Sequence, residues 1–150
     1  MEWLDSLRGT IVGLDTAPLI YFIEAHPRYL PLVRPFFEAV ERGDLAVVTS
    51  TLTLTEVLVH PWRHRNEELI RQYSRILLHA DNLRTIPVLP EIAAEAARIR
   101  AVHGLKVPDA IQIATFRFGG ATSFLTNDAG MASIQGLQVL CLDRLPPSNP

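Results

Sequence analysis

Four acidic residues stand at the edges of apolar segments, where carboxylates are uncommon. In chain order they are Asp15 after residues 11–14, Glu56 within residues 52–58, Asp109 before residues 110–114, and Asp128 after residues 124–127. Asp and Glu are rarely buried unless they are paired or bind a metal, because desolvating a carboxylate is costly. Such a set of carboxylates is typical of a site for a hard cation.

Two of these acids also have structural interpretations. Asp15 is a favourable N-cap for a helix that begins at the next residues. The segment Thr53-Leu54-Thr55-Glu56 matches a capping box, in which the glutamate binds the backbone of the cap residue. Ser50 and Thr51 offer an earlier cap, however, and that cap would place Glu56 in the body of the helix.

The other two acids have simple alternatives as well. Asp109 follows Pro108 and would complement the helix dipole in a first turn. Asp128 would be a turn residue in Asn127-Asp128-Ala129-Gly130. Each alternative is credible by itself. The occurrence of all four acids at corresponding places of one sheet favours a shared function.

Apolar periodicity and breaker residues predict the elements that must position these acids. Strands are predicted at 10–14, 45–49, 122–126 and 138–142, with a short strand or an extended link at 84–88. Helices are predicted at 17–25, 29–42, 52–59 (ending near Pro61), 66–79, 90–103 and 108–118. The alternation predicts a single α/β domain over residues 1–150, with three α/β/α layers and a mainly parallel sheet. Its core spans about 10–143, and 144–150 form a loose tail.

In open α/β sheets, ligands bind beyond the carboxyl ends of the strands. Asp15 follows the first predicted strand and Asp128 follows the fourth. Glu56 lies early in the helix after the second strand, and Asp109 begins the helix that leads into the fourth. We therefore expect all four acids to lie along one edge of the sheet.

Composition limits the remaining classes of function. The chain has 150 residues, 48% of them hydrophobic, and a formal charge of -2, so no overall basic field attracts it to nucleic acid. Cys141 is the only cysteine, which excludes a disulfide framework and a Cys-rich zinc site. No segment has the roughly 18 apolar residues of a membrane helix, and we expect a soluble, cytoplasmic protein. The segment His60-Pro61-Trp62-Arg63-His64-Arg65 either contacts RNA or forms a solvated loop.

The segments 14–20, 55–58, 108–114 and 125–128 together resemble the PIN domain family, and most closely the compact PIN ribonucleases of the VapC toxin type. The resemblance covers roughly residues 10–143. It implies that the four acids bind Mg²⁺ or Mn²⁺, with Thr126 and Asn127 as accessory polar groups. It also implies a nuclease that is commonly a homodimer, and a cognate antitoxin that inhibits the toxin members. One departure is Ala129-Gly130-Met131, where such toxins often carry further charged residues and an aromatic residue.

Phosphodiester chemistry agrees with this resemblance. Cleavage needs a nucleophilic water, neutralisation of phosphate charge and support for the leaving oxygen, all of which Mg²⁺ ions supply. We expect Asp15 and Asp128 to bind the metal directly, and Glu56 and Asp109 directly or through water. The predicted function is a metal-dependent endoribonuclease that acts on single-stranded RNA as the toxin of a toxin–antitoxin pair. Its expected partners are RNA, a cognate antitoxin and a second copy of the chain.

Competing classes fit the sequence less well. A phosphatase of the haloacid type needs a second aspartate at position 17, where this chain has alanine. A response-regulator receiver needs an acidic pair after its first strand, and only Asp15 is present there. A PIN-like module that binds RNA or protein without catalysis remains an alternative. A metal-dependent cleavage assay separates that module from the nuclease.

Overall fold

The strands form one sheet in the order β3-β2-β1-β4-β5, and every pairing in it is parallel. A computed structural model describes residues 1–131, 134 and 136–145. The strands are β1 (Ile11–Leu14), β2 (Ala46–Ser50), β3 (Leu83–Ile86), β4 (Ser123–Thr126) and β5 (Gln138–Cys141). The predicted strands are confirmed, and the segment near residue 84 is a strand rather than an extended link.

Seven α-helices and one short 3-10 helix surround the sheet in the described part of the chain. They are α1 (Glu2–Asp5), α2 (Thr16–Ile23), α3 (Leu30–Arg42), α4 (Thr51–Arg63), α5 (Glu67–His79), α6 (Pro90–His103), α7 (Val107–Phe118) and the 3-10 helix Leu142–Arg144. Helices α3 and α6 end at Gly43 and Gly104, as predicted, where positive φ values of 80° and 70° suit glycine. The four-residue helix α1 was not predicted.

Helix α4 differs from its prediction at the C-terminal end. The expectation that it ends near Pro61 is wrong, because the helix continues to Arg63 with Pro61 inside it. Proline removes one backbone donor, but the turn around it is kept by the His64 N–H, which donates to the His60 carbonyl at 3.1 Å. Pro61 is buried, so packing outweighs the local cost of the missing hydrogen bond.

Two apolar cores lie on opposite faces of the sheet. One contains Phe36 of α3 and Tyr73 of α5, both fully buried. The other contains Ile99 of α6 and Phe116 of α7, also fully buried. Burying both faces explains why the central strand β1 is apolar along its whole length. The predicted three-layer α/β/α fold is confirmed.

A close contact between β1 and α7 places that helix against the centre of the sheet. A Cβ atom built on Gly13 would lie 2.4 Å from Cγ of Phe116, so only glycine admits the aromatic ring at this distance. Gly119, at the end of α7, is packed similarly, with the Val48 side chain 2.5 Å from its built Cβ atom. Because α7 carries Asp109 in its first turn, these glycines also determine where that acid lies.

Leu145 is partly buried against the first core, and residues 146–150 of the predicted tail lie outside the described residues. None of the helices found in residues 1–131, 134 and 136–145 has the length and apolar character needed to span a bilayer.

Candidate functional site

The strand order reverses between β1 and β4. Strands β2 and β3 extend the sheet to one side of β1, and β4 and β5 extend it to the other. The carboxyl ends of the two strands at such a switch point border a crevice, which is the usual ligand site of open α/β sheets. Leu14 pairs with Leu125, so the next residues along the two segments stand side by side: Asp15, which follows β1, and Thr126, the last residue of β4.

Both carboxylate oxygens of Asp15 accept hydrogen bonds. Oδ1 accepts from the backbone N–H of Thr16 at 2.8 Å, and Oδ2 accepts from the Thr126 hydroxyl at 2.6 Å. The backbone N–H of Asp15 donates to the Leu125 carbonyl at 3.0 Å. Asp15 is therefore the N-cap of α2, as its structural interpretation predicted, and it also lies at the switch point. The two roles are compatible, because a carboxylate has further lone pairs free for a cation.

Asp128 is joined to Asp15 through Thr126. The fully buried Thr126 hydroxyl accepts a hydrogen bond from the Asp128 backbone N–H at 3.0 Å while it donates to Asp15. The Asp128 Oδ1 accepts from the Gly130 N–H at 2.8 Å, which is the turn geometry expected from the local sequence. Asp128 is exposed, so its carboxylate has access to solvent at the mouth of the crevice.

Glu56 lies in the body of α4, because Ser50 caps this helix. The Ser50 Oγ accepts from the Leu52 N–H at 3.0 Å, which excludes the capping box that begins at Thr53. Burial raises the pKa of the Glu56 carboxyl above its ordinary value, and the negative charge of Asp15 raises it further. The Thr16 side chain lowers this pKa, whereas the charge of Asp109 raises it. Glu56 is nonetheless an exposed residue, so solvent screens much of the effect.

Asp109 is the third residue of α7 and is half-buried. Burial raises the pKa of its carboxyl, and the charges of Asp128 and Asp15 raise it further, while the ammonium of Lys106 lowers it. Asp15 thus acts on both Glu56 and Asp109, and Asp128 acts on Asp109. The structure brings together the four acids from four separate segments, close enough for their charges to interact.

Asn127 has contacts on the other side of the same loop. Its Nδ2 donates to the Tyr21 hydroxyl at 3.2 Å, and its Oδ1 accepts from the Asp143 N–H at 3.2 Å. The Asp143 carboxylate in turn accepts from the Tyr29 hydroxyl at 2.7 Å. Asn127 therefore anchors the loop between Thr126 and Asp128. Sequence reasoning missed Tyr21 and Asp143, since nothing in their local sequences indicates a contact with this loop.

The donor set suits a hard cation. All four side chains offer carboxylate oxygens, and the pKa values of Glu56 and Asp109 are raised partly by neighbouring negative charge that a cation would offset. Within the described ranges, no three acidic, histidine or cysteine side chains are arranged to hold a metal ion by themselves. Mg²⁺ keeps several waters and commonly takes only one or two protein carboxylates, so the residues fit that ion.

The basic and aromatic segment of the sequence lies at the C-terminal end of α4. Trp62 is 63% exposed, and the rings of His60 and His64 lie 4.2 Å apart between centroids. This segment starts one helical turn after Glu56 on the same helix. Contact with RNA at this surface stays a prediction.

Comparison with solved structures finds proteins of the same fold. A toxin–antitoxin complex from Klebsiella pneumoniae has a TM-score of 0.63 and 23% identity, covering 84% of this chain and 94% of that one. VapBC2 from Rickettsia felis, bound to a DNA fragment from its promoter, has a TM-score of 0.65 and 19% identity, covering 86% and 96%. The sarcin-ricin loop cleaving toxin VapC20 from Mycobacterium tuberculosis has a TM-score of 0.66 and 16% identity, covering 80% and 92%.

Sequence comparison assigns the family. Curated protein sequences gave no significant match to this chain. A family model of the PIN domain, in contrast, matches residues 12–137, which include most of β1, all of β2 to β4 and all four acids of the crevice. The chain belongs to the PIN domain family.

Proposed function

We propose that this chain is a Mg²⁺- or Mn²⁺-dependent endoribonuclease that cleaves single-stranded RNA in the cytoplasm. The observation that supports this most is the gathering of Asp15, Glu56, Asp109 and Asp128 at the switch point of the sheet, where their charges interact. Carboxylate oxygens are the ligands that a hard cation prefers. A crevice open to solvent lets a phosphodiester and the attacking water reach that cation. This assignment follows from the site and its chemistry, because a fold alone does not specify a reaction.

In this proposal all four acids contribute to binding the cation. Asp15 and Asp128 bind it directly, and Glu56 and Asp109 bind it directly or through water. Thr126 holds Asp15 in place through its 2.6 Å hydrogen bond, and Asn127 holds the loop that presents Asp128. When bound, the cation supplies charge neutralisation at the phosphate and activation of the attacking water.

We further propose that the chain is the toxin of a toxin–antitoxin pair. The Klebsiella pneumoniae structure is a toxin–antitoxin complex, and the Mycobacterium tuberculosis protein is a toxin that cleaves the sarcin-ricin loop. By analogy with these proteins of the same fold, the partners of this chain would be RNA, a cognate antitoxin and a second copy of itself.

A cleavage assay on single-stranded RNA tests the proposed reaction. We expect purified protein to cleave the RNA in Mg²⁺ or Mn²⁺ and to stop in excess chelator, with activity restored by added metal. The Asp109→Asn variant should lose most activity, whereas Asp81→Asn should keep it. Asp81 precedes β3 and therefore lies at the amino-terminal ends of the strands, away from the four acids. Cleavage that continues in chelator would contradict the metal mechanism. RNA binding without cleavage would favour the non-catalytic PIN-like module.

A further inference from the structure

A buried threonine hydroxyl lies beneath the acidic crevice and joins four elements of the fold. The Thr53 Oγ1 accepts a hydrogen bond from Gln112 Nε2 at 2.8 Å and lies 3.3 Å from Thr16 Oγ1. It is also hydrogen-bonded to Thr49 Oγ1 at 3.0 Å. Thr49 and Thr53 are fully buried, Thr16 is buried and Gln112 is only 2% exposed. We call these four residues the hydroxyl junction.

The junction residues stand next to three of the proposed metal ligands. Thr16 directly follows Asp15, Thr53 lies one helical turn before Glu56, and Gln112 lies one turn after Asp109. Thr49 adds a contact with the backbone, since its hydroxyl donates to the Leu14 carbonyl at 2.8 Å, immediately before Asp15. The junction therefore links the starts of α2, α4 and α7 at the level of the crevice.

The amide of Gln112 is poorly suited to stabilising the fold. Its Oε1 is buried and has no hydrogen-bond partner among the described residues. An unpaired buried acceptor destabilises a protein, and the neighbouring residues of α7, Ile113 and Ala114, are apolar core residues. An apolar side chain would fit this position without that cost. The contact of the amide N–H with Thr53 is the feature that an apolar side chain cannot provide.

We propose that Thr53 is a positioning residue whose shared hydroxyl fixes the N-terminal parts of α2, α4 and α7, and with them Asp15, Glu56 and Asp109, relative to one another around the cation site. The inference rests on the proposed function, because it assigns those acids to the cation. The Thr53 hydroxyl is fixed by its contacts with three neighbouring polar side chains of the junction. Small displacements of ligating groups are costly for metal sites.

A double substitution removes both partners of the hydrogen bond between Gln112 and Thr53, so neither partner is left unpaired. Thr53→Val with Gln112→Met replaces hydroxyl and amide by apolar groups of similar shape, a change that can be nearly neutral for stability. Thr53→Ser is the conservative control, because it keeps the hydroxyl. Thr115→Val is the matched control: Thr115 is fully buried on α7, and its hydroxyl donates within its own helix to the Ile111 carbonyl at 2.7 Å.

Three measurements on the full chain decide the proposal: thermal unfolding and backbone amide resonances of the metal-free protein, and Mn²⁺ affinity by calorimetry. We expect the double variant to melt close to wild type, with displaced amide resonances at Asp15, Glu56 and Asp109. Its Mn²⁺ dissociation constant should rise by about 10-fold to 100-fold, the range seen when groups that orient metal ligands are removed. The Thr53→Ser and Thr115→Val variants should remain near wild type in all three measurements.

Unchanged resonances together with unchanged Mn²⁺ affinity in the double variant would overturn the proposal, as would an equal loss of affinity in Thr115→Val. If wild type itself binds no Mn²⁺, the proposed function fails. The amide resonances then decide the positioning role by themselves: displacement in the double variant but not in Thr115→Val supports it, and no displacement overturns it. Should the double variant not fold, Gln112→Met alone is judged by the same criteria.

Discussion

The Thr126 hydroxyl donates a 2.6 Å hydrogen bond to the Asp15 carboxylate across 111 positions of sequence. The same hydroxyl accepts from the Asp128 backbone N–H, so one side chain joins the acids that follow β1 and β4. Thr126 is fully buried at the end of β4. Its two hydrogen bonds connect the segment that follows β1 with the segment that follows β4. The proposed site depends on this link at the centre of the sheet.

Replacing Asp15 by asparagine should not lower the stability of the metal-free protein, whereas replacing it by alanine should. Asparagine can keep the cap bond to the Thr16 N–H, but its amide nitrogen cannot accept from Thr126. Removing one of four mutually repelling charges offsets that loss, so metal-free Asp15→Asn should be as stable as wild type or more stable. Asp15→Ala should lose about 1 kcal/mol with the cap. Mn²⁺ at 100 times its dissociation constant should stabilise wild type by about 2.7 kcal/mol, and either variant much less. Thermal melts with and without Mn²⁺ measure both effects. An Asp15→Asn protein that is clearly less stable without metal, yet equally stabilised by it, would make Asp15 a structural cap alone.

The raised pKa of Glu56 predicts a pH dependence of stability in the metal-free protein. A carboxyl whose folded pKa exceeds its unfolded pKa makes the folded state bind more protons between the two values, so it destabilises the fold as the pH rises. Glu56→Gln should therefore stabilise the metal-free chain at pH 7, by less than about 1 kcal/mol because the side chain is exposed. The gain should disappear below the unfolded pKa. Denaturant unfolding at several pH values tests this, and an equal gain at low pH would show that repulsion is not its cause.

Gly13 should not tolerate even a methyl group. In Gly13→Ala the new Cβ would lie 2.4 Å from the Phe116 ring, and we expect a destabilisation of about 1–3 kcal/mol from overpacking. Phe116→Leu should relieve part of the clash, so the double variant should be more stable than the sum of the two single changes predicts. Chemical denaturation of the three variants measures this coupling. Additive losses would mean that the contact does not govern the placement of α7.

The toxin assignment predicts an effect on growth. Expression of wild type without an antitoxin should slow the growth of a bacterial host, and Asp15→Asn should restore it. The variant keeps the helix cap, so loss of toxicity would reflect the proposed site rather than unfolding. Growth curves and soluble protein levels are measured together. Equal growth with wild type and variant, both soluble, would indicate a housekeeping PIN nuclease instead of a toxin.

The sheet and most helices were predictable because their signals are local. Apolar runs mark the strands, and Gly43 and Gly104 mark helix ends through their positive φ values. The position of the acids at one edge was predictable too, since ligand sites of parallel sheets lie beyond the carboxyl ends of the strands. The end of α4 was predicted too early because of Pro61. Burial of the proline ring offsets the loss of one backbone hydrogen bond, so the helix continues past it.

The supporting contacts of the site were not predictable from the sequence. The bond between Asn127 and Tyr21 spans 106 positions, and the bond between Thr53 and Gln112 spans 59. Such pairs depend on how helices pack on the sheet, which periodicity does not encode. The requirement for Gly13 is of the same kind, because it comes from a ring on α7. Sequence patterns therefore indicated the acids, and the family resemblance indicated Thr126 and Asn127. Neither indicated Thr53, Gln112 or Tyr21.

Mn²⁺ titration of the metal-free protein tests the central claim most directly, namely that Asp15, Glu56, Asp109 and Asp128 form one cation site. Calorimetry or the electron paramagnetic resonance of free Mn²⁺ measures binding without any RNA substrate. We predict saturable binding to wild type, weaker binding to Asp15→Asn, Glu56→Gln, Asp109→Asn and Asp128→Asn, and wild-type binding to the control Asp81→Asn. Equal affinity in wild type and all four site variants, or no binding to wild type, would contradict the claim.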